Sequence, residues 1–331
     1  MAKRIEIVDR LDQPTRAAVD ELVEEATSSD GVPPVGEHKY LKLRSGSPSV
    51  RALLAYDGER LEGYAQLLVA APEVTAEVMV RPSARRRGVA SRLVAAARDL
   101  AAESGAVELK LWAYGDQSAS AAIAARRGMV VGRTLLQLER RLEVLPPAPS
   151  TDGYTIRPFD VAHDRESWLA LHNAVFADHP ENGKWSLEDL QARLDQAWFK
   201  SEDFLVAESG GRMVGFNWLK QVPAPPPHSA EGEIYIIGVG SLERGRGLGR
   251  ILALLGLYRL RESGMDVCTL YVEDDNRPAL GLYYRLGFTI RHVHRCYAVP
   301  VDSALPRKTN FHSLGTGRRP MTPFDDNEDL G

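Results

Sequence analysis

The chain has 331 residues, 44% of them hydrophobic and 26% charged, with a formal net charge of -4. That length exceeds the roughly 250 residues at which a single core stops growing, so two domains are expected. The negative balance argues against a general nucleic-acid binder, and no apolar run approaches the ~18 residues of a membrane span.

The N-terminal MAKRIEIVDR lacks the apolar core of a signal peptide, which predicts a cytoplasmic protein. Only Cys268 and Cys296 are present, both in strand-like apolar runs. They read as buried thiols rather than a disulfide, and two cysteines make no zinc site, so no metal is expected.

In chain order, RLEGYAQL (60–67) reads as a hairpin arm and 74–80 as a strand. A turn RRRGVAS (85–91) opens a helix over 89–104; a strand (107–113), a helix (117–127) and a final strand follow. EVLPPAPSTDG (143–153) reads as a linker, because prolines join neither a helix interior nor a central strand. The pattern then recurs: RMVGFNWL (212–219), a strand over 231–239, the turn RGRGLGR (244–250), a helix over 248–263, a strand over 267–273, a helix over 276–286 and a last strand. At an offset of 159, Arg85 meets Arg244, Gly88 meets Gly247, Gly105 meets Gly264 and Gly128 meets Gly287 without a gap. The expected division is 1–143, a linker at 144–153, 154–300, and a tail over 301–331 whose polar, aperiodic composition predicts disorder. The two hairpin arms align at an offset of only 152, so the second copy carries seven more residues before its 231–239 strand, including PAPPP; a stiff loop there would wall an acceptor pocket.

A strand that ends in a glycine turn and opens a helix aims free backbone N–H groups, and the helix dipole, into one concavity. That is an anion site, and Arg244, Arg246 and Arg250 add charge-assisted donors. Neither copy has the lysine and Ser/Thr of a nucleotide-hydrolase P-loop, and GRGLG lacks dinucleotide-site spacing. Both turns do fit R/Q-x-x-G-x-G/A, as Arg244, Gly247, Gly249 and as Arg85, Gly88, Ala90, and LYVEDDNRPALGLYYRLGF (270–288) supplies the strand and helix that accompany it. The chain thus resembles the GCN5-related N-acetyltransferase (GNAT) family. The resemblance implies two tandem α/β domains, each a mixed twisted sheet flanked by helices, and acetyl-CoA as cosubstrate.

Acetyl transfer to an amine needs a neutral amine, a polarised thioester carbonyl and a proton for the departing thiolate. Glu233, on the strand before the second turn, is assigned as general base, directly or through water. Tyr283 or Tyr284 would donate a proton to the leaving thiolate; the resemblance selects Tyr283 as the donor and leaves Tyr284 to the core. The cofactor residues it implies are Ile237, Gly238, Val239, then Arg244, Gly245, Arg246, Gly247, Leu248, Gly249 and Arg250, and Asn276, Arg277, Pro278, Ala279, Leu280 and Gly281, with the carbonyl held by a backbone N–H around 237–239. A second CoA site would use Met79, Val80, Arg85, Arg86, Arg87, Gly88, Val89 and Ala90. The offset puts Val74 at Glu233 and Ala124 at Tyr283, so the first copy is expected to bind CoA without catalysing.

Further stretches, DGVPPVGEHKYL, NAVFADHPENGKWSLEDLQARLDQAWF, GFNWLK, GEIYIIGV and TLYVEDDN, resemble the tandem members of the family that acetylate the cysteinyl amine of desacetylmycothiol, a cysteinyl-glucosaminyl-inositol, to give mycothiol and CoA. The likeness runs from about residue 20 to 300. It implies acceptor contacts from Glu37, Glu181, Lys220, Tyr271 and Glu233, and a monomer is expected. The alternatives are another small amine or a protein N-terminus as acceptor, or a non-catalytic acyl-CoA-binding regulator.

Overall fold

The computed structural model describes residues 4–36, 48–115, 118–179, 184–222 and 230–301. Glu37, Glu181, the PAPPP loop and the tail beyond residue 301 lie outside these residues. The chain forms two compact units, one of Met1–Ala113, Ser118–Val130 and Tyr297–Gly331, the other of Tyr114–Gln117 and Val131–Cys296.

In the first unit, β1 (Arg4–Val8), β2 (Val50–Asp57), β3 (Arg60–Ala70), β4 (Glu73–Val80) and β5 (Glu108–Ala113) lie side by side in that order. Only the β4–β5 pair is parallel. Helix α1 (Gln13–Asp30) starts where the Asp12 carboxylate accepts the Thr15 N–H at 2.9 Å, and it ends at Gly31, whose φ of 71° suits glycine. Helix α2 (Val89–Glu103) buries Leu93, Ala97 and Ala101 against Leu53, Leu67, Val74 and Ala76 of the sheet. A third helix, α3 (Ser118–Arg126), buries Ala124.

The second unit contains most of β6 (Val130–Arg141), then β7 (Thr155–Pro158), α4 (Arg165–Val175), α5 (Leu187–Leu194), β8 (Phe204–Ser209), β9 (Arg212–Val222), β10 (Glu231–Val239), α6 (Leu248–Glu262), β11 (Val267–Glu273), α7 (Arg277–Arg285) and β12 (Thr289–Pro300). Its strands run β12–β6–β11–β10–β9–β8–β7. The units do not divide at residue 143. β6, the last strand of the first repeat, pairs antiparallel with β11 from Val267↔Arg141 to Glu273↔Leu135, and its Leu136 and Leu138 enter the core under α6. The chain also passes between units around Tyr114–Gln117 and inside β12, at Cys296 and Tyr297. Ladder hydrogen bonds to a strand distant in sequence, which no local pattern encodes, decide where these strands go.

One irregularity separates the repeats. In β3–β4 the register runs unbroken from Gly63↔Val80 to Ala70↔Glu73. In β9–β10 it slips between Ile234↔Leu219 and Ile236↔Trp218, so Tyr235 is an added residue, a β-bulge. Before the bulge the even residues face α6: Ile234 packs with Leu254 and Leu257, and a Cβ on Gly232 would meet Leu260. After it the odd residues do, Val239 packing with Leu248 and Leu252. Gly232 gives a direct check. An alanine there would place Cβ 2.5 Å from Leu260 Cδ2, within a fully buried core. Gly232→Ala is expected to destabilise by about 1–3 kcal/mol, read by denaturant unfolding.

Candidate active site

Both glycine turns have the predicted shape. Strand β10 ends at Val239, a short turn of 3-10 helix spans Ser241–Glu243, and Gly245 and Gly247 adopt φ of +78° and +88° before α6 begins. Gly247 is the N-cap and no side chain caps the helix, so its first N–H groups face outward. A Cβ at Gly245 or Gly247 would meet nothing within 4 Å, which leaves a clear approach to the backbone. At Gly249 a Cβ would make ordinary contacts of 3.7 Å with Val239 and 3.8 Å with Leu282, which explains why alanine stands at the matching position 90. Leu248 is buried and anchors the turn, while Arg244, Arg246 and Arg250 are exposed; Arg246 lies 3.5 Å from the Glu243 carboxylate. This cradle fits a pyrophosphate: the N–H groups of Leu248 and Gly249, which make no backbone hydrogen bond among the described residues, a helix dipole and three cations.

The first turn repeats the backbone with different electrostatics. Gly88 has φ +80°, and Arg86 adopts φ 64° where the second copy has Gly245. Arg85, expected to meet phosphate, is held by Asp30 of α1 in a two-pronged pair of 2.7 and 2.8 Å, and its Nε donates to the Val80 carbonyl at 3.2 Å. Arg244 is exposed and makes no ion pair among the described residues. Arg86 and Arg87 are exposed, Val89 is buried as the first helical residue, and Met79 packs in the core beneath α1 beside the half-buried Val80.

The sheet parts beside the second turn, as β4 and β5 part after Glu77↔Trp112 in the first unit, and here a bulge accompanies the parting. Strands β10 and β11 pair in parallel only from Glu231↔Val267 to Ile234↔Leu270. From Tyr235 to Val239 the β10 edge facing β11 has no strand partner among the described residues, and Ile237, Gly238 and Val239 line it. A slot of this kind accepts an extended chain and offers backbone N–H groups to a carbonyl. Gly238 fits the other face closely, since a Cβ there would come within 2.5 Å of the Phe216 ring.

Glu233 sits at the closed end of the slot, half-buried, on the face away from α6. Lys220 lies directly opposite it on β9, and Tyr271 projects from the same face of β11. Tyr271 is 40% exposed, and the desolvation of its inner part, reinforced by the charge of Glu233, pushes its phenol above the usual range. The structure therefore brings Glu233, Lys220 and Tyr271 together. Behind Tyr271 stands His294, fully buried, with its ring 5.6 Å from that of Tyr271 and 5.1 Å from Tyr114. Its Nδ1 accepts the Gly115 N–H at 3.0 Å, and burial lowers its pKa to about 4, so it is neutral at physiological pH.

Tyr283 occupies the other face. It is buried in the core under α6, its ring 5.7 Å from Phe288, and burial holds its phenol above the ordinary range; Tyr284 points to solvent. Asn276 caps α7, accepting the Ala279 N–H at 3.3 Å, with Arg277 and Pro278 exposed after it and Leu280 buried. Gly281 sits on this short helix, 3.4 Å short of Arg285 for an added Cβ. Cys268 and Cys296 are both buried and form no disulfide, as expected.

The acetyltransferase (GNAT) family model matches residues 16–129 and 168–288. The chain belongs to the GNAT family. Among its curated relatives, the mycothiol acetyltransferase of Thermobispora bispora is 44% identical over 87% of this chain and 97% of that protein, and that of Thermomonospora curvata is 42% identical over 88% and 96%. Among solved structures, a tandem GNAT protein from the clavulanic acid biosynthesis pathway superposes with a TM-score of 0.70 at 19% identity, covering 92% of this chain and all of that one. At that identity it supports the fold alone, two GNAT domains in one chain.

Placed on the GNAT sheet, the repeats align differently from a constant offset. Glu233 pairs with Lys220 and Thr269; the residue that holds this position in the first unit is Thr75, paired with Leu68 and Lys110. Val74 instead matches Gly232, facing the helix. The bulge at Tyr235 consumes one residue, so the offset is one shorter before it. The first copy still lacks a carboxylate here, but the residue is Thr75, not Val74. Sequence reasoning also missed Tyr235, Trp198, Arg193 and His294. The signal for the bulge was the run Ile234–Tyr235–Ile236–Ile237, which breaks the alternation kept by Val74, Ala76, Val78 and Val80.

Proposed function

We propose that this chain transfers the acetyl group of acetyl-CoA to the cysteinyl amine of desacetylmycothiol, giving mycothiol and CoA, and that the second unit carries the reaction. The observation that carries the reading is the bulge with its neighbours: only in the second repeat does an added residue sit beside the slot, and only there do a carboxylate and an ammonium, Glu233 and Lys220, face each other where the first repeat has Thr75 and Leu68. The acceptor is supported by relatives named mycothiol acetyltransferase at 44% and 42% identity over nearly their full length.

The α-amino group of a cysteinyl unit has a pKa of ~7.7–8.0, so about a tenth is neutral at pH 7. Glu233 takes the proton that the nitrogen sheds as it bonds to the thioester carbon. The developing oxyanion lies against the open backbone edge between Ile237 and Val239, and the C–S bond then breaks. The first N–H groups of α6, with Arg244, Arg246 and Arg250, hold the pyrophosphate. Tyr283 keeps its proton throughout the working range. Transfer from a phenol of pKa ~10 to a thiolate of pKa ~8.5 runs uphill by about 2 kcal/mol, and burial widens the gap. In place of the proton donation expected from the sequence, its part is to hydrogen-bond the sulfur as charge builds there, and the released thiolate takes its proton from solvent. Lys220 and Tyr271 donate to hydroxyl or carbonyl oxygens of the acceptor. The first unit, with Thr75 for Glu233 and a buried Ala124 on α3 for Tyr283, binds CoA without turning it over.

The test is thiol release from acetyl-CoA by the pure protein with desacetylmycothiol, other small amines, or peptides with free N-termini as acceptors. Release with the first alone is the expected result. Equal or faster release with another acceptor moves the substrate, and no release with any makes the chain an acyl-CoA-binding protein.

A further inference from the structure

Tyr235, the residue that the bulge adds, has no part in the chemistry above. Its hydroxyl accepts from Arg193 Nε at 3.1 Å. Arg193 is itself buried, donates Nη1 to the Asp189 carbonyl at 2.7 Å and lies over the Trp185 ring at 3.7 Å, so the last turn of α5 fixes the far end of the phenol. The Tyr235 ring meets Trp198 and Trp218 edge to face, at 5.1 and 5.6 Å. Above this aromatic corner stands the Lys220 ammonium, 5.0 Å from the centre of the Trp198 ring and 5.7 Å from that of Tyr235, both within the ~6 Å reach of a cation–π contact. Lys220 is in turn the cross-strand neighbour of Glu233. The first unit has none of this: Leu68 stands opposite Thr75, and its β4 carries no added residue.

We propose that Tyr235 is a positioning residue for the acceptor. Anchored by Arg193 and assisted by Trp198, it holds the Lys220 ammonium beside Glu233, where the ammonium meets an oxygen of the polyhydroxyl amine. The proposal rests on the reading of Lys220 as an acceptor contact. A lysine on its flexible four-carbon stem loses many rotamers when a ligand orders it. Two rings that fix the cation beforehand remove part of that cost from binding. The single inserted residue thus furnishes a ring under the cation next to the base.

Steady-state kinetics on Tyr235→Leu, Tyr235→Phe, Lys220→Met and the Tyr235→Leu/Lys220→Met double variant test this. Tyr235→Leu is expected to raise KM for the amine about tenfold while KM for acetyl-CoA stays within twofold. Tyr235→Phe keeps the ring and should restore most of the loss. In the Lys220→Met background the Tyr235→Leu exchange should add less than twofold, because its target is gone. Trp198→Leu, at the other ring under the same ammonium, reads the same contact if Tyr235→Leu does not fold. An unchanged amine KM, equal rises for both substrates, or a full tenfold effect in the absence of Lys220 would each overturn the proposal. Wild-type protein that acetylates no polyhydroxyl amine would instead overturn the reading of the acceptor, a separate result from the same assay.

Discussion

Glu233→Gln should lower kcat/KM for the amine by about 10²-fold or more at pH 7 while leaving acetyl-CoA affinity unchanged. The exchange keeps size and hydrogen-bonding reach but removes the proton acceptor at the closed end of the slot. Part of the loss depends on pH in a definite direction. Below the amine pKa of ~7.7–8.0 most of the acceptor is ammonium, and the enzyme must remove that proton as well as the one shed in bond formation. Above it solvent has already removed the first, so the deficit should narrow by up to about tenfold between pH 7 and 9 and then level off. Glu233→Asp separates charge from reach: it keeps an anion opposite Lys220 but withdraws it by one methylene, and should fall between wild type and Gln. Stopped-flow or coupled thiol assays across pH 6–9 read all three proteins. Turnover of Glu233→Gln close to wild type over that range removes Glu233 from the mechanism.

What could be read in the sequence was what is local. The two turns and the helices they open depend on residues within a few positions of each other, and both stand where expected, with positive φ at Gly88, Gly245 and Gly247. The grouping of Glu233, Lys220 and Tyr271 followed from a resemblance and is reproduced by strand register. What failed were readings that depend on distant partners. A gap-free alignment hid the bulge, because one extra residue at Tyr235 is absorbed within a single strand. Strand exchange placed β6 beside β11, and no periodicity in residues 130–141 names its partner. Arg85 looks equivalent to Arg244 until α1, more than fifty residues earlier in the chain, brings Asp30 to its guanidinium.

That last difference sharpens the comparison of the two turns, where the second large effect is expected. Gly247→Glu should abolish acetyl transfer, and Gly88→Glu should leave most of kcat while removing one equivalent of bound CoA. Two terms act at Gly247. A side chain at φ +88° costs roughly 1–2 kcal/mol in backbone strain, and a carboxylate at the mouth of the cradle repels each nearby phosphate by about 1 to 4 kcal/mol at 4 Å, depending on how well water screens it. Gly247→Ala pays the strain without the charge and should bind CoA only about tenfold more weakly, which tells the two apart. At Gly88 the same carboxylate acts on a site whose main arginine already carries Asp30, so less binding energy is there to lose. The cost appears as stability: a ligand bound at a hundred times its Kd contributes about 2.7 kcal/mol of folding free energy, and without it the CoA-dependent rise in Tm should shrink. Calorimetric titration with CoA, thermal melts with and without CoA, and thiol-release assays on the three variants decide the matter. If Gly88→Glu is the inactive protein and Gly247→Glu turns over normally, catalysis belongs to the first unit, and Thr75 rather than Glu233 stands where the amine must lose its proton.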